Sequence, residues 1–363
     1  MHPDPLRYTP DIETVDGNEA QLTHEIVEQM GASARCAYER HRHALRDAHA
    51  KSNGILKGEL VVHDGLPPEL AQGIFAAART YPIVARLSSA PGDIHSDKIP
   101  APRGFAIKVL GVPGERLSPD LGGANQDFLM VNFPALAFGT IPKYKVMLSL
   151  LEANAHAPDT FQRLVAGTAH GARELLEAFG GTPGATLQGL ARDNHHPLGE
   201  TYHTQAAIRF GDHVAKLALR PTSDGVRALT GQDVPDVEYA TMRDAVAAHF
   251  ADAGAEYELT AQLCVDLDRM PVEDASVTWP EDLSPHRPIA TLRFAPQATS
   301  SPARLVHGDD VLSFNPWNGV AAHRPLGGIM RIRRAAYERS AAFRHTMNAR
   351  PRSEPSRLDD IPD

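Results

Sequence analysis

The stretch YHTQAAIRFGDHVAKLALRP (202–221) holds two β-like runs joined at Gly211-Asp212. A Gly-Asp pair between two apolar-alternating runs is a hairpin signal, so the two strands are expected to be antiparallel. The same texture recurs on both sides. C-terminal to it lie EYELTAQLCVDL (256–267) and RPIATLRFA (287–295). N-terminal to it lie ILKGELVVH (55–63), YPIVARLSS (81–89), RGFAIKVLG (103–111) and QDFLMVNF (126–133), at spacings of about 20 residues with Gly/Pro/Asp clusters between them. The count is four strands, a helical insertion at about 141–190 (KVMLSLLEANA, ELLEAFGG), and four more strands interrupted by an acidic helix over 236–253. Eight antiparallel strands without alternating helices to cover them point to a closed barrel in an α+β chain.

Flanking segments complete the plan. Residues 1–20 read as a polar, extended arm, and 21–50 as helical, with Leu22, Ile26 and Met30 repeating at four. A basic helix is expected over 327–348, and the tail ARPRSEPSRLDDIPD is expected to fray. The divisions are thus 1–50 for the arm and helices, 51–300 for the barrel with its insertion, and 301–363 for a connection, the basic helix and the tail.

Composition excludes several classes of function. The 363 residues carry 36 Lys+Arg against 45 Asp+Glu, a net charge of −9 that argues against nucleic acid as the main partner. Cys36 and Cys264 are too few for a disulfide framework or a thiolate zinc site. No apolar run is long enough to span a bilayer, and the N-terminus lacks the apolar core of a secretory signal, so a soluble cytoplasmic protein is expected. P-loop, G-x-G-x-x-G, H-E-x-x-H and G-x-S-x-G motifs are missing.

Three groups of residues carry chemical interest. Arg333, Tyr337 and Arg344 are four and seven residues apart, and at about 100° per residue they share one face of a helix. An arginine one turn before a tyrosine can favour its phenolate, a hard ligand suited to ferric iron. A solvated basic face fits the same spacing, since Arg331, Arg334 and Arg339 lie on that helix too. Arg46 and His49, three apart, are expected on a last helical turn and able to reach one ligand. Arg86 and Ser88 share a strand face, which in a barrel is expected to meet solvent or a ligand-filled lumen. Asn125 precedes a buried-looking run, and Phe138 follows 13 residues later.

Read together, these segments resemble the haem catalase superfamily, specifically its short catalase-related members, over about residues 21–348. RDAHAK resembles the distal-histidine segment, YPIVARLSS the strand with arginine and serine two apart, and APRGFAIKV the P-R-G-F-A-x-K hallmark. GGANQDFLMVNFPALAF resembles the segment with the distal asparagine, and GIMRIRRAAYERSAAFR the proximal helix with its R-x-x-x-Y iron ligand. The resemblance implies haem b bound through Tyr337, with Arg333 stabilising the phenolate. It implies His49, Asn125 and Ser88 as catalytic residues, Phe138 stacked on the haem, and Arg46, Arg86 and Arg344 on the propionates. The implied activity is decomposition of hydrogen peroxide or organic hydroperoxides through Compound I, with an organic electron donor as a further partner. A haem-dependent hydroperoxide dehydratase or isomerase, and a non-enzymatic haem-binding barrel, are the alternatives. A homo-oligomer, a dimer first, is expected.

Overall fold

The computed structural model describes residues 3–363 apart from 91, 95, 99, 100 and 154–193. Strands β1 (Lys51–Val62), β2 (Thr80–Ser89), β3 (Arg103–Val109) and β4 (Gln126–Val131) form an antiparallel meander. After the insertion come β5 (Tyr202–His203), β6 (Ile208–Phe210), β7 (His213–Pro221), β8 (Ala255–Leu263) and β9 (Arg287–Phe294). β1 pairs with β9, and β5 pairs with both β4 and β7, so eight strands close on themselves while β6 hangs on β7 as a flange. The expected closed antiparallel barrel is present.

Six helices dress the barrel among the described residues: α1 (Glu19–His41), α2 (Ile141–Ala153), α3 (Asp224–Arg227), α4 (Thr241–Asp252), α5 (Pro302–Val306) and α6 (Gly328–Met347). No described helix is long and apolar enough to cross a membrane. Of the helical insertion expected at 141–190, only α2 falls within the described residues.

Alternation along the strands decides which face each side chain takes. Ile83, Ala85 and Leu87 of β2, Phe105 and Ile107 of β3, and Phe128 and Met130 of β4 point into one large core cluster. That cluster fills the barrel, where Phe75, Phe128 and Phe210 surround the His323 ring. The opposite face carries Val84, Arg86 and Ser88, then Ala106 and Leu129. There, Ile55, Val84 and Leu110 are covered by Leu312, Phe314 and Ile361. The lumen is therefore packed with apolar side chains and the ligand-sized space lies outside it, so of the two alternatives for the Arg86–Ser88 face, solvent or a ligand-filled lumen, the lumen is excluded.

Other expectations shift in ways that have physical causes. β1 starts at Lys51, four residues earlier than the apolar run at 55–63, because a bulge between Ser52 and Gly54 lets polar residues continue the pairing with β2. The run 202–211 is two short strands, broken where Gln205 takes φ 61. The helix from residue 21 stops at His41, where Arg42 adopts the left-handed conformation at φ 54. Arg46 and His49 thus sit on an irregular segment, not on a helical turn. The tail packs against the barrel: Ile361 is buried, and Glu354 accepts hydrogen bonds from Lys108 at 2.8 Å and Asn125 at 3.0 Å.

Candidate active site

A cavity of about 230 Å³ lies between the outer face of β2–β4 and helices α1, α2 and α6, and a side cavity of about 70 Å³ adjoins it. Met30, Arg46, Ala48, Phe314, Ala336 and Tyr337 line both.

One wall is α6. Gly327, at φ 89, turns the chain into the helix, and a Cβ there would lie 2.3 Å from the Val272 carbonyl oxygen. The Gly328 N–H donates to Glu273 at 2.7 Å, capping the positive helix end with a carboxylate. Arg331 is held by Glu13, Glu19 and Glu273, so the first turn is clamped to the arm and to α1. On the cavity side, Arg333 donates to the Tyr337 hydroxyl at 2.7 Å, and its guanidinium lies 5.1 Å from the phenol ring centre. Arg344 shares the face but reaches only the side cavity.

The other wall holds His49, Ser88 and Arg86. His49 takes φ 52, a conformation costing of order 1–3 kcal/mol for a side chain of its size. Arg86 holds this bend by donating to the carbonyls of His49 at 2.9 Å and Ala50 at 3.0 Å. Ser88 Oγ lies 3.4 Å from His49 Nδ1, which leaves Nε2 for the cavity. Burial, then the positive charges of Arg86 and Arg333, push the imidazole down to about 4, so it is neutral at physiological pH. Gly104 lies behind the ring, where a Cβ would be 2.7 Å from both His49 Nδ1 and Ser88 Oγ.

Arg46, Arg86 and Arg344 converge on the turn 307–311. Arg46 donates to the carbonyls of Gly308 (2.6 Å) and Leu312 (2.7 Å), and both Arg46 (3.2 Å) and Arg86 (3.3 Å) reach the Asp309 carboxylate. Arg344 donates to the Asp309 carbonyl and to Ser313 Oγ. Burial, then mutual repulsion, lowers the affinity of Arg46 and Arg344 for their protons, the latter to about 10. The Nε atoms of Arg86 and Arg344 are buried without partners. Asp309 is the carboxylate that Arg46 and Arg86 bond, with Asp310 and Asp47 close enough to act on the cluster, and the two orphaned Nε atoms leave donors that an anionic ligand can take.

Two expected residues are not brought to the cavity. The Asn125 amide donates to Glu354 and to the Pro355 carbonyl, both at 3.0 Å, which turns it toward the tail. Phe138 is buried but is not among the lining side chains. Asn132 lies nearer: it follows the lining residue Val131, and its Oδ1 accepts the Arg103 N–H at 2.9 Å beside Gly104. The sequence reading also passed over Tyr144 and Asp47. Tyr144 lines the cavity from α2, and burial followed by the nearby Tyr337 raises its phenol. Asp47 lines the side cavity, and burial pushes its carboxyl up to about 6. Neither stands in a recognisable pattern, although Asp47 lies directly between Arg46 and Ala48.

No family model matches the sequence, and no curated protein matches it. Solved structures do. A fungal catalase superposes at a TM-score of 0.58 with 15% identity, covering 87% of this chain and 64% of the other. Catalase A from Saccharomyces cerevisiae superposes at 0.56 with 15% identity, covering 88% and 66%. The chain has a catalase-like α+β fold and spans less than two thirds of either catalase's length.

The side chains at the cavity fit a haem. A phenol held by a guanidinium can ligate ferric iron, and the clustered guanidiniums with their orphaned Nε atoms suit the forked geometry of carboxylates. The apolar wall of Leu129, Val131, Ile329 and Ile332 suits a macrocycle.

Proposed function

We propose that the chain is a haem-dependent hydroperoxidase, decomposing hydrogen peroxide or organic hydroperoxides, with an organic donor able to return the reducing equivalents. One observation carries the reading: the Arg333–Tyr337 pair and the neutral His49 imidazole line the same cavity. Bound haem would supply a ferric iron that takes the peroxide and carries the redox change. Tyr337 Oη would hold the iron, and Arg333, bonded to that oxygen, would stabilise negative charge on it. Arg46, Arg86 and Arg344 would hold the haem carboxylates. His49 Nε2 accepts the proton of the entering peroxide and returns it to the departing oxygen, which lowers the cost of breaking the O–O bond. Ser88 and Gly104 fix the imidazole plane, and Arg86 fixes the strained backbone beneath it. Leu129 and Val131 limit water at the reacting end.

The test is to load the full chain with ferric haem and follow its visible spectrum, oxygen release and donor oxidation on adding peroxide. Tyr337→Phe should lose most of its haem or shift its Soret band. An unchanged Soret band, haem content and peroxide turnover in Tyr337→Phe would refute the ligand assignment. A full chain that takes up no haem would refute the function.

A further inference from the structure

The side cavity holds a feature that the peroxide chemistry does not use. Asp47 Oδ1 is shielded from solvent and has no hydrogen-bond partner, and Arg344 Nε on the same cavity is likewise unpartnered. An orphan acceptor and an orphan donor beside about 70 Å³ of space form a half-built binding site. Its remaining polar lining is Arg46, Ser313, Ser340 and Tyr337. Two guanidiniums make the cavity favourable for an anion, whereas an ionised Asp47 repels one.

We propose that this cavity receives a carboxylate arm of the haem, and that Asp47 and that arm share a single proton beneath Arg46 and Arg344. The inference rests on the haem reading above. An acid paired with a carboxylate makes a short, charge-assisted O–H···O⁻ bond, which satisfies Asp47 Oδ1 and removes the repulsion. Without ligand, burial already holds the Asp47 carboxyl near 6, opposed by Ser340, Arg339 and Arg344. A second carboxylate raises it further, so the loaded protein holds more protons than the empty one at neutral pH. The other charged or titratable groups nearby are Arg46, Arg86, Asp309, Asp310, Tyr144, Tyr337 and His345. Arg46 and Arg86 are ion-paired with Asp309. Asp310 is bonded to His43 at 2.8 Å, and His345 to Ser313 at 2.9 Å.

Haem affinity should therefore weaken as pH rises from 6 to 8, approaching about tenfold per pH unit for one linked proton. The experiment is an equilibrium titration of the haem-free full chain with ferric haem, read by the Soret band. It compares the parent, Asp47→Asn, and the parent with ferric haem dimethyl ester, which has no free carboxylates. Asp47→Asn should lose the pH slope and bind haem more tightly than the parent at pH 8. The ester should give a flat profile with the parent, a result that does not depend on how the variant folds. Equal slopes for the parent with haem and with its ester, or for parent and variant, would overturn the proposal while leaving haem binding intact. Failure of the parent to saturate at any pH would overturn the haem reading as well.

Discussion

A methyl group on Gly104 would stand 2.7 Å from both His49 Nδ1 and Ser88 Oγ, so this glycine is required by the imidazole in front of it. Gly104→Ala should push the ring off Ser88 and cost about 1–3 kcal/mol, as overpacking does elsewhere. Urea unfolding measures the cost, and the rate of reaction with peroxide measures the displacement, which should be large while haem content stays near that of the parent. His49→Gln removes the proton carrier itself, and the rate should fall by about 10²–10⁴-fold with haem content unchanged. In the parent, His49 gains its proton only near pH 4, so that rate should be level from pH 8 to about 5 and drop below it. A rate in His49→Gln equal to that of the parent would remove the residue from the proposed chemistry. Tyr337, Arg333, His49 and Ser88 were legible because each is marked by a neighbour three, four or two positions away along the chain. Asn125 was misread because its partner is Glu354, 229 residues distant, and no local pattern announces such a contact.

The helix α6 depends on its first turn. Arg331 makes close contacts to Glu13, Glu19 and Glu273, and these contacts hold its charge more firmly than in water. Arg331→Ala would leave three carboxylates gathered around nothing. Removing one partner of a largely buried ionic cluster typically costs about 3–5 kcal/mol, and the loss here should exceed that of Glu13→Gln or Glu19→Gln singly. Thermal melts of the three variants check the order; a melt of Arg331→Ala within a degree of the parent would show that the clamp contributes nothing. The helix itself was legible, since Gly327-Gly328 and the basic last turn bound it in the sequence. The segment 42–50 was not, because tertiary bonds override its helical composition: Arg86 on β2 takes the carbonyls of His49 and Ala50 that a helix would have used. The tail was misread for a related reason. Its charged residues look solvated, yet Glu354 completes a buried network with Lys108 and Asn318.

Barrel closure was legible from eight strand patterns and a hairpin turn, whereas the side on which the ligand space lies was not, because alternation reports that a strand has two faces and not what covers each. Filling the lumen has a consequence for the whole molecule, since it strands titratable groups in apolar surroundings. His323, ringed by phenylalanines, is pushed down to about 3, and burial pushes His49, His196 and His286 down to about 4. His196 is half-buried and accepts the Leu198 N–H at 3.2 Å. An unfolded histidine binds its proton near 6.5, so between that value and about 4 the unfolded chain holds more protons than the folded one. The stability carried by these four groups is complete above pH 6.5 and is lost as pH falls. Asp47 and Asp127 work the opposite way, because burial raises both carboxyls, and their contribution grows as pH falls from 6 toward 4. Each group contributes at most about 1.4 kcal/mol per pH unit, so four histidines against two carboxyls leave a net loss of up to about 3 kcal/mol per unit. A typical domain has about 5–15 kcal/mol in total, so the haem-free chain should unfold near pH 4–5. Urea midpoints at pH 7.5, 6.5, 5.5 and 4.5 should fall progressively. His323→Gln, which can still accept the Ile74 N–H now bonded to Nε2 at 3.0 Å, should be less stable than the parent at pH 7.5 and show a shallower fall. A midpoint that stays constant or rises on acidification would mean that the carboxyls, not the histidines, dominate the acid limb.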